Sequence, residues 1–344
     1  MNTYAIVIEP ISGFGTQIKG DTLFGHFCWE VAWDGTLVEG GLERQLALYD
    51  QKPFVIFSSA FPRLGRDNGR VVCALKRPAL PPVMPPSEDY TTRIERYKER
   101  KREKEKRWVV FEYGPEPIDP TDLKRLSDQE LSALYADQLG SYPDQLGSHS
   151  HYCLHGTLPH NTINRLSWTT GEPPFAPFNL PVTYYKPGLE LVIFVLLNES
   201  ATNIERVTEG VQRIGEFGFG RDASTGLGRF KLKEVIEIPT PKVAKANAFY
   251  TLAPCVPEEN RFFNWFFEPF VRFGRHGGQL AKSKNPFKNP VVMADEGALL
   301  FPAEGVADER PYAGKAILGI SKAQPGSVVQ GYTPILPMIV RSQT

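Results

Sequence analysis

Residues 217–230 read FGFGRDASTGLGRF, the stretch whose side chains and spacing best suit the binding of an anion. Gly218, Gly220, Gly226 and Gly228 allow left-handed backbone and close approach to a ligand. Arg221 and Arg229 can hold phosphate in a planar fork, and Ser224 and Thr225 place hydroxyls between them. Successive amides in such a turn can form a concave anion site. The same glycines would also serve a tight loop without any ligand. Two nucleotide loops are excluded. A P-loop needs Lys-Ser/Thr after its last glycine, and here Leu227 follows Gly226. A dinucleotide fingerprint opens a helix after a strand, whereas the order here is helix (203–214), loop, strand (227–238).

Other residues with chemistry are fewer. His26, on the first helix, could act as a general acid or base, or simply pack locally. Asp21 could serve phosphodiester chemistry, but an N-cap accounts for it. His149, His151, Cys153, His155 and His160 alternate as strand residues would and form the one zinc-like cluster. No second cluster accompanies them, and neither a metal nor any other cofactor is expected. No Ser-His-Asp set or carboxylate pair emerges.

Composition bounds the rest. The 344 residues carry 39 basic and 39 acidic side chains, so any RNA role must rest on a local basic face. Four distant cysteines indicate neither a disulfide framework nor a zinc knuckle. The start MNTYAIVIEP lacks a signal-peptide pattern and the longest apolar run, 191–197, is too short to cross a bilayer. The expectation is a cytoplasmic protein with no membrane partner.

These residues need a scaffold. A strand at 3–8, a helix at 23–33, a strand at 55–59, a strand at 189–197 buried on both faces, the helix at 203–214 and an alternating strand, FKLKEVIEI, give β-α-β, insertion, β-α-β. That is the ferredoxin-like pattern, a sheet architecture used by many RNA-binding domains. The insertion spans about 62–187. It holds a proline connector (Pro78, Pro81, Pro82, Pro85, Pro86), a charged helical arm at 88–108 and a short helix in LSDQELSALYADQL. The arm reads either as a solvated helix or as a basic arm along nucleic acid. Thr240-Pro241 marks the boundary of a smaller second domain, 241–344. There RFFNWFFEPFVRFG has spacing that could be helical up to Pro269, and strands are expected near 249–252, 291–294, 298–301 and 328–340. The fold class is α+β: tandem ferredoxin-like (RRM-like) domains, the first with a long insertion.

KGDTLFGHFCW, FSSAFPRLG, HNTINRLSWTTG, the glycine loop, and the run from EPFVRFGRHGG through PVVMADEGALLF to GYTPILPM together resemble the RAMP superfamily of CRISPR proteins. The likeness is to the subunit that caps the 5′ end of the guide in type III-A (Csm) effector complexes. The region from about 86 to 142 is longer than the family needs. The resemblance implies a non-catalytic RNA-binding subunit that does not homo-oligomerise. It would hold the repeat-derived 5′ tag of the crRNA and bridge a large polymerase/cyclase-like subunit to the repeating backbone RAMP subunit. It places Lys19, Asn161 and Arg165 near the guide, together with the loop from Gly218 to Gly228. Phosphates would meet amides and Arg221 and Arg229; Asn164 and Trp168 could meet splayed bases. Some relatives cleave guide precursors, which makes His26 the alternative, enzymatic reading.

Overall fold

The computed structural model describes residues 1–65, 70–81, 90–139, 152–172, 175–303 and 309–341. His149, His151, Pro82, Pro85, Pro86 and the first two residues of the 88–108 arm lie outside them. The chain begins with β1 (Asn2–Pro10), α1 (Gly20–Trp33), α2 (Gly41–Leu48) and β2 (Val55–Pro62). Seven elements follow before the next long strand: β3 (Val72–Lys76), α3 (Tyr90–Glu105), β4 (Trp108–Glu112), β5 (Arg125–Leu126), α4 (Asp128–Leu139), β6 (Cys153–His160) and β7 (Phe178–Tyr185). Then come β8 (Leu191–Leu197), α5 (Ile204–Phe217) and β9 (Phe230–Ile238).

The first sheet has the order β2-β8-β1-β9, with every pairing antiparallel. This is the interleaved order expected of two β-α-β halves that share one sheet. Tyr4, Ile6 and Ile8 on β1 turn toward α1 and α5, where Leu23, Phe27, Val207, Val211 and Ile214 complete one core. The helices meet closely because Gly210 leaves room for the Phe27 ring; a Cβ there would lie 2.5 Å from it. On β9 the expected clean alternation is broken. The register slips between Val7 and Ile8, so Phe230, Leu232 and Val235 share the helix side.

The opposite face of this sheet is buried too. Ala5, Val192 and Phe194 pack with Cys73, Leu75, Val109 and Phe111 of the insertion and with Tyr250, Leu299, Leu336 and Met338 of the C-terminal half. A continuous apolar β8 follows from this double burial. It also rules out bases stacking on an open sheet face, as RRM-like sheets allow, so any RNA contact must use loops and edges.

The C-terminal half corrects the sequence reading. Its strands are β10 (Ala248–Thr251), β11 (Phe262–Phe266), β12 (Pro269–Arg272), β13 (Val291–Ala294), β14 (Leu299–Pro302), β15 (Tyr312–Gly314) and β16 (Tyr332–Met338). They form the sheet β11-β14-β10-β16-β15 and the ribbon β12-β13. Among the described residues no α-helix follows Phe217, so the second α+β ferredoxin-like unit is not what forms. The aromatic segment whose spacing could be helical holds instead the edge strand β11. Phe262 buries into a small core while Phe263 stays exposed, the two-residue alternation of a strand.

Candidate nucleic-acid interface

The glycine loop is first a packed structure. Phe219 is fully buried, and its amide donates to the Gly228 carbonyl at 2.8 Å. Gly228 in turn donates to the Gly13 carbonyl at 2.7 Å. At Gly228, φ is +74°, and a Cβ would sit 2.0 Å from the Phe219 carbonyl oxygen. Gly218 and Gly220 lie at the same base, against the Leu227 carbonyl and Thr16. Gly226 differs: its φ is +95°, yet a Cβ would meet nothing within 4 Å. Three of the glycines therefore serve the fold, and Gly226 stands at an open lip.

The expected cradle of free amides is smaller than the sequence suggested. Gly220 donates to His26 Nε2 at 3.0 Å, Arg221 to Thr16 Oγ1 at 3.0 Å and Arg229 to Ser12 Oγ at 2.8 Å. Thr225, Gly226 and Leu227 fold back on Asp222 and Ala223 carbonyls. Among the described residues, the amides of Asp222, Ala223 and Ser224 are the ones in 217–230 left without a backbone or side-chain acceptor. One guanidinium is committed as well. Arg221 Nε donates to Asp222 Oδ2 at 3.2 Å, and its terminal nitrogen donates to the Pro181 carbonyl. Arg229 is exposed, with no acceptor for its guanidinium among the described residues. Ser224 and Thr225 are exposed too, with Thr225 Oγ1 donating to the Asp222 carbonyl at 2.8 Å. The groups left open for an anion are thus amides 222–224, Ser224, Gly226 and Arg229.

His26 holds this lip in place. Its ring lies 4.8 Å from the Phe219 ring, and its Nε2 lone pair accepts the Gly220 amide. Burial lowers its pKa from 6.5 to about 4. The lone pair a general base would use is already engaged. Because the folded pKa lies below the unfolded one, this group's contribution is complete above pH 6.5 and is lost as the pH falls to about 4. The protein is expected to lose about 3 kcal/mol across that window from this group. His26→Gln should flatten that part of a denaturation-versus-pH curve; an unchanged slope would remove His26 from this role.

The insertion supplies the other wall. The β6–β7 hairpin lies against the loop through the Arg221 contact with Pro181, a bridge between Phe14 and Thr183, and a 3.8 Å approach of His160 Nε2 to Asp222 Oδ2. His160 stacks on Phe178 at 5.6 Å. Asn161, next to His160, and Arg165, further along the hairpin tip, are both exposed. Asn164 closes the tip by accepting the Leu166 and Trp168 amides, through Oδ1 at 2.9 Å and its carbonyl at 2.7 Å. Trp168 is 80% exposed, with φ +59°. Cys153 Sγ lies 3.7 Å from His155 Nε2, and His155 Nδ1 contacts Thr183 Oγ1 at 3.1 Å. Among the described residues no three His, Cys, Asp or Glu side chains gather as metal ligands.

Two expectations at the start of α1 are corrected. Lys19 does not reach an RNA surface. It is 4% exposed, and its ammonium donates to Asp295 Oδ1 at 2.5 Å and to Glu296 at 2.7 and 2.8 Å. Asp21 is not the side-chain cap: the helix begins at Gly20, and Asp21 accepts a two-pronged pair from Arg272 at 2.5 and 2.8 Å. The partners lie 276 and 251 residues away, beyond what local pattern can show.

Sequence reasoning missed one further loop. Gly277 and Gly278 lie against the Trp29 indole of α1, close enough that a Cβ would be 3.0 and 3.1 Å from it. Around them Phe273, Arg275, Lys282, Lys284 and Phe287 are exposed, with Arg275 over the Phe287 ring at 5.6 Å. Bases interleaved with aromatics suit a single-stranded nucleic acid. The signal, RHGGQLAKSKNPFK, was visible, but its place beside α1 was not. Helix α1 thus carries the glycine loop at His26 and this basic loop at Trp29, one helical turn apart.

No protein-family model matches the sequence, and no curated protein matches it. Solved structures do. A chain of the Csm3–Csm4 subcomplex in the type III-A CRISPR–Cas interference complex is 14% identical, with 97% of this chain and 99% of that one covered and a TM-score of 0.53. Chains of the Csm1–Csm4 cassette match likewise. With cA4 the identity is 13%, the coverage 99% of each chain and the TM-score 0.51. With pppApA it is 14%, over 99% and 100%, at 0.50. Csm4 is the component these assemblies have in common, and this chain shares the fold of the chains it matches in them.

Proposed function

We propose that this chain is a non-catalytic RNA-binding subunit of a type III CRISPR effector complex, working in the cytoplasm. It holds the repeat-derived 5′ tag of the crRNA and joins a large polymerase/cyclase-like subunit to the backbone filament. The full-length likeness to chains of Csm1–Csm4 and Csm3–Csm4 assemblies supports the two-sided partnership. One observation carries the RNA reading: the open lip at 222–226 and the free Arg229 guanidinium lie against the β6–β7 hairpin, and helix α1 meets the base of this loop at His26 and the basic 273–288 loop at Trp29. An extended strand could lay its phosphates on the lip and its bases on Phe178, Trp168 or Phe287. His26 supports the non-catalytic side, since its lone pair is bound to Gly220.

The test is filter binding with RNA that carries the 5′ tag. Tagged RNA is expected to bind more tightly than a scrambled RNA of equal length and to be recovered intact. Arg229→Glu removes a charged phosphate contact worth about 1.5–3 kcal/mol, so affinity for the tag should fall roughly tenfold to a hundredfold. Equal binding of tagged and scrambled RNA, or cleavage abolished by His26→Ala, would contradict the proposal.

A further inference from the structure

Helix α3 belongs to the region in which this chain is longer than the resemblance requires, and the tag-holding surface makes no use of it. One end is fixed to the body through Glu103. Its carboxylate accepts from Arg125 at 3.0 Å and from Lys106 at 3.0 Å, while Arg77 donates to its carbonyl at 2.8 Å. Within residues 94–105 the half-buried side chains are Arg96 and Glu103, seven apart and therefore on one face. The charges are sorted about that face. Glu95, Glu99 and Glu103 fall in a single row spaced by four, on the anchored side. Lys98, Lys101, Arg102 and Lys104 point away from it, with Glu105 the acid among them, and all four are exposed without an ion-pair partner among the described residues. Tyr97, 72% exposed, and Ile94, 38% exposed, stand on the same side.

A helix that merely meets water would intersperse opposite signs at spacing four. Here the chain as a whole is neutral, yet this face carries four bases against one acid. We infer that the outward face of α3 is a second, sequence-independent nucleic-acid contact, binding the phosphate backbone of RNA outside the segment held at the glycine loop. Lysines at spacing three place point charges about 4.5 Å apart along the helix, which suits tracking a flexible polyanion. Tyr97 among them offers a ring for base stacking. An acidic protein surface would fit the charge but gives no reason for the exposed ring.

The experiment uses the full chain and a labelled oligouridine, which lacks the tag. The variant K98E/K101E/R102E/K104E is expected to weaken binding at least tenfold near 0.1 M salt. It should also reduce the slope of log affinity against log salt by about 2–3, from about 0.7 per lost contact. The variant K98Q/K101Q/R102Q/K104Q should fall between, with thermal melting of both variants unchanged. A photo-crosslinker in place of Tyr97 should label RNA in the assembled particle. Unchanged affinity and slope in the charge-reversed variant, no binding of oligouridine by the wild type, or crosslinks confined to another protein subunit would each overturn the inference. Arg229→Glu, measured in parallel, separates this result from failure of the tag-holding surface.

Discussion

Replacing Lys19 with methionine lowers the stability of the fold by about 3–5 kcal/mol, the range for removing one partner from a buried ion pair. Lys19 and Lys76 stand against Asp295 and Glu296. Lys76 lies 2.7 Å from Asp295 and 2.6 Å from Glu296, and Ser59 adds a hydrogen bond to Glu296 at 3.1 Å. The four charges balance, so removing one ammonium leaves a buried negative charge. For Asp295, burial alone would raise the pKa; the ammoniums of Lys19 and Lys76 outweigh it and bring the value to about 2. Because that pKa is depressed from 3.8, its contribution is present above pH 3.8 and is lost as the pH falls toward 2. In Lys19→Met that loss should begin at higher pH. Adding Glu296→Gln should recover much of the stability by removing the excess charge. The measurement is chemical denaturation of both variants. A single variant as stable as wild type would show that the cluster does not tie α1 to the β13–β14 turn.

Gly228→Ala has the second large effect, a loss of roughly 3 kcal/mol. Left-handed backbone in a non-glycine residue costs about 1–3 kcal/mol, and here the Cβ also runs into backbone 2.0 Å away. Relief would break the hydrogen bonds that tie Phe219 to Gly228 and Gly228 to Gly13. Gly226→Ala is the control: it keeps the positive φ but meets open space, so about 1 kcal/mol is expected. Hydrogen exchange at the Phe219 and Gly228 amides should accelerate in the first variant and hold in the second. Equal behaviour of the two would mean that the loop is not locked at its base.

Much of the first sheet was legible. The runs forming β1, β2 and β8 and the periodicity of α1 and α5 read directly, and the strand order follows from two β-α-β halves. The insertion's strands were missed because VVCALK and WVVFE are short and flanked by prolines or dense charge. The strand β11 was read as a possible helix because Phe262, Phe263, Trp265 and Phe266 are apolar at nearly every position and carry no clear period. At the site, the glycines and arginines were legible but their assignments were not. Whether an amide is free depends on Gly13, Thr16 and His26, some two hundred residues away. A separation of 276 residues or more hid the pairing of Lys19 with Asp295 and Glu296.

The surface proposed for RNA is best located by ultraviolet crosslinking of the assembled particle, with the crosslinked peptides read by mass spectrometry. Crosslinks from the 5′ tag are expected in 222–229, on the β6–β7 hairpin at His160, Trp168 or Phe178, and in 273–288. Tag crosslinks confined to other parts of this chain, or to neighbouring subunits, would contradict it.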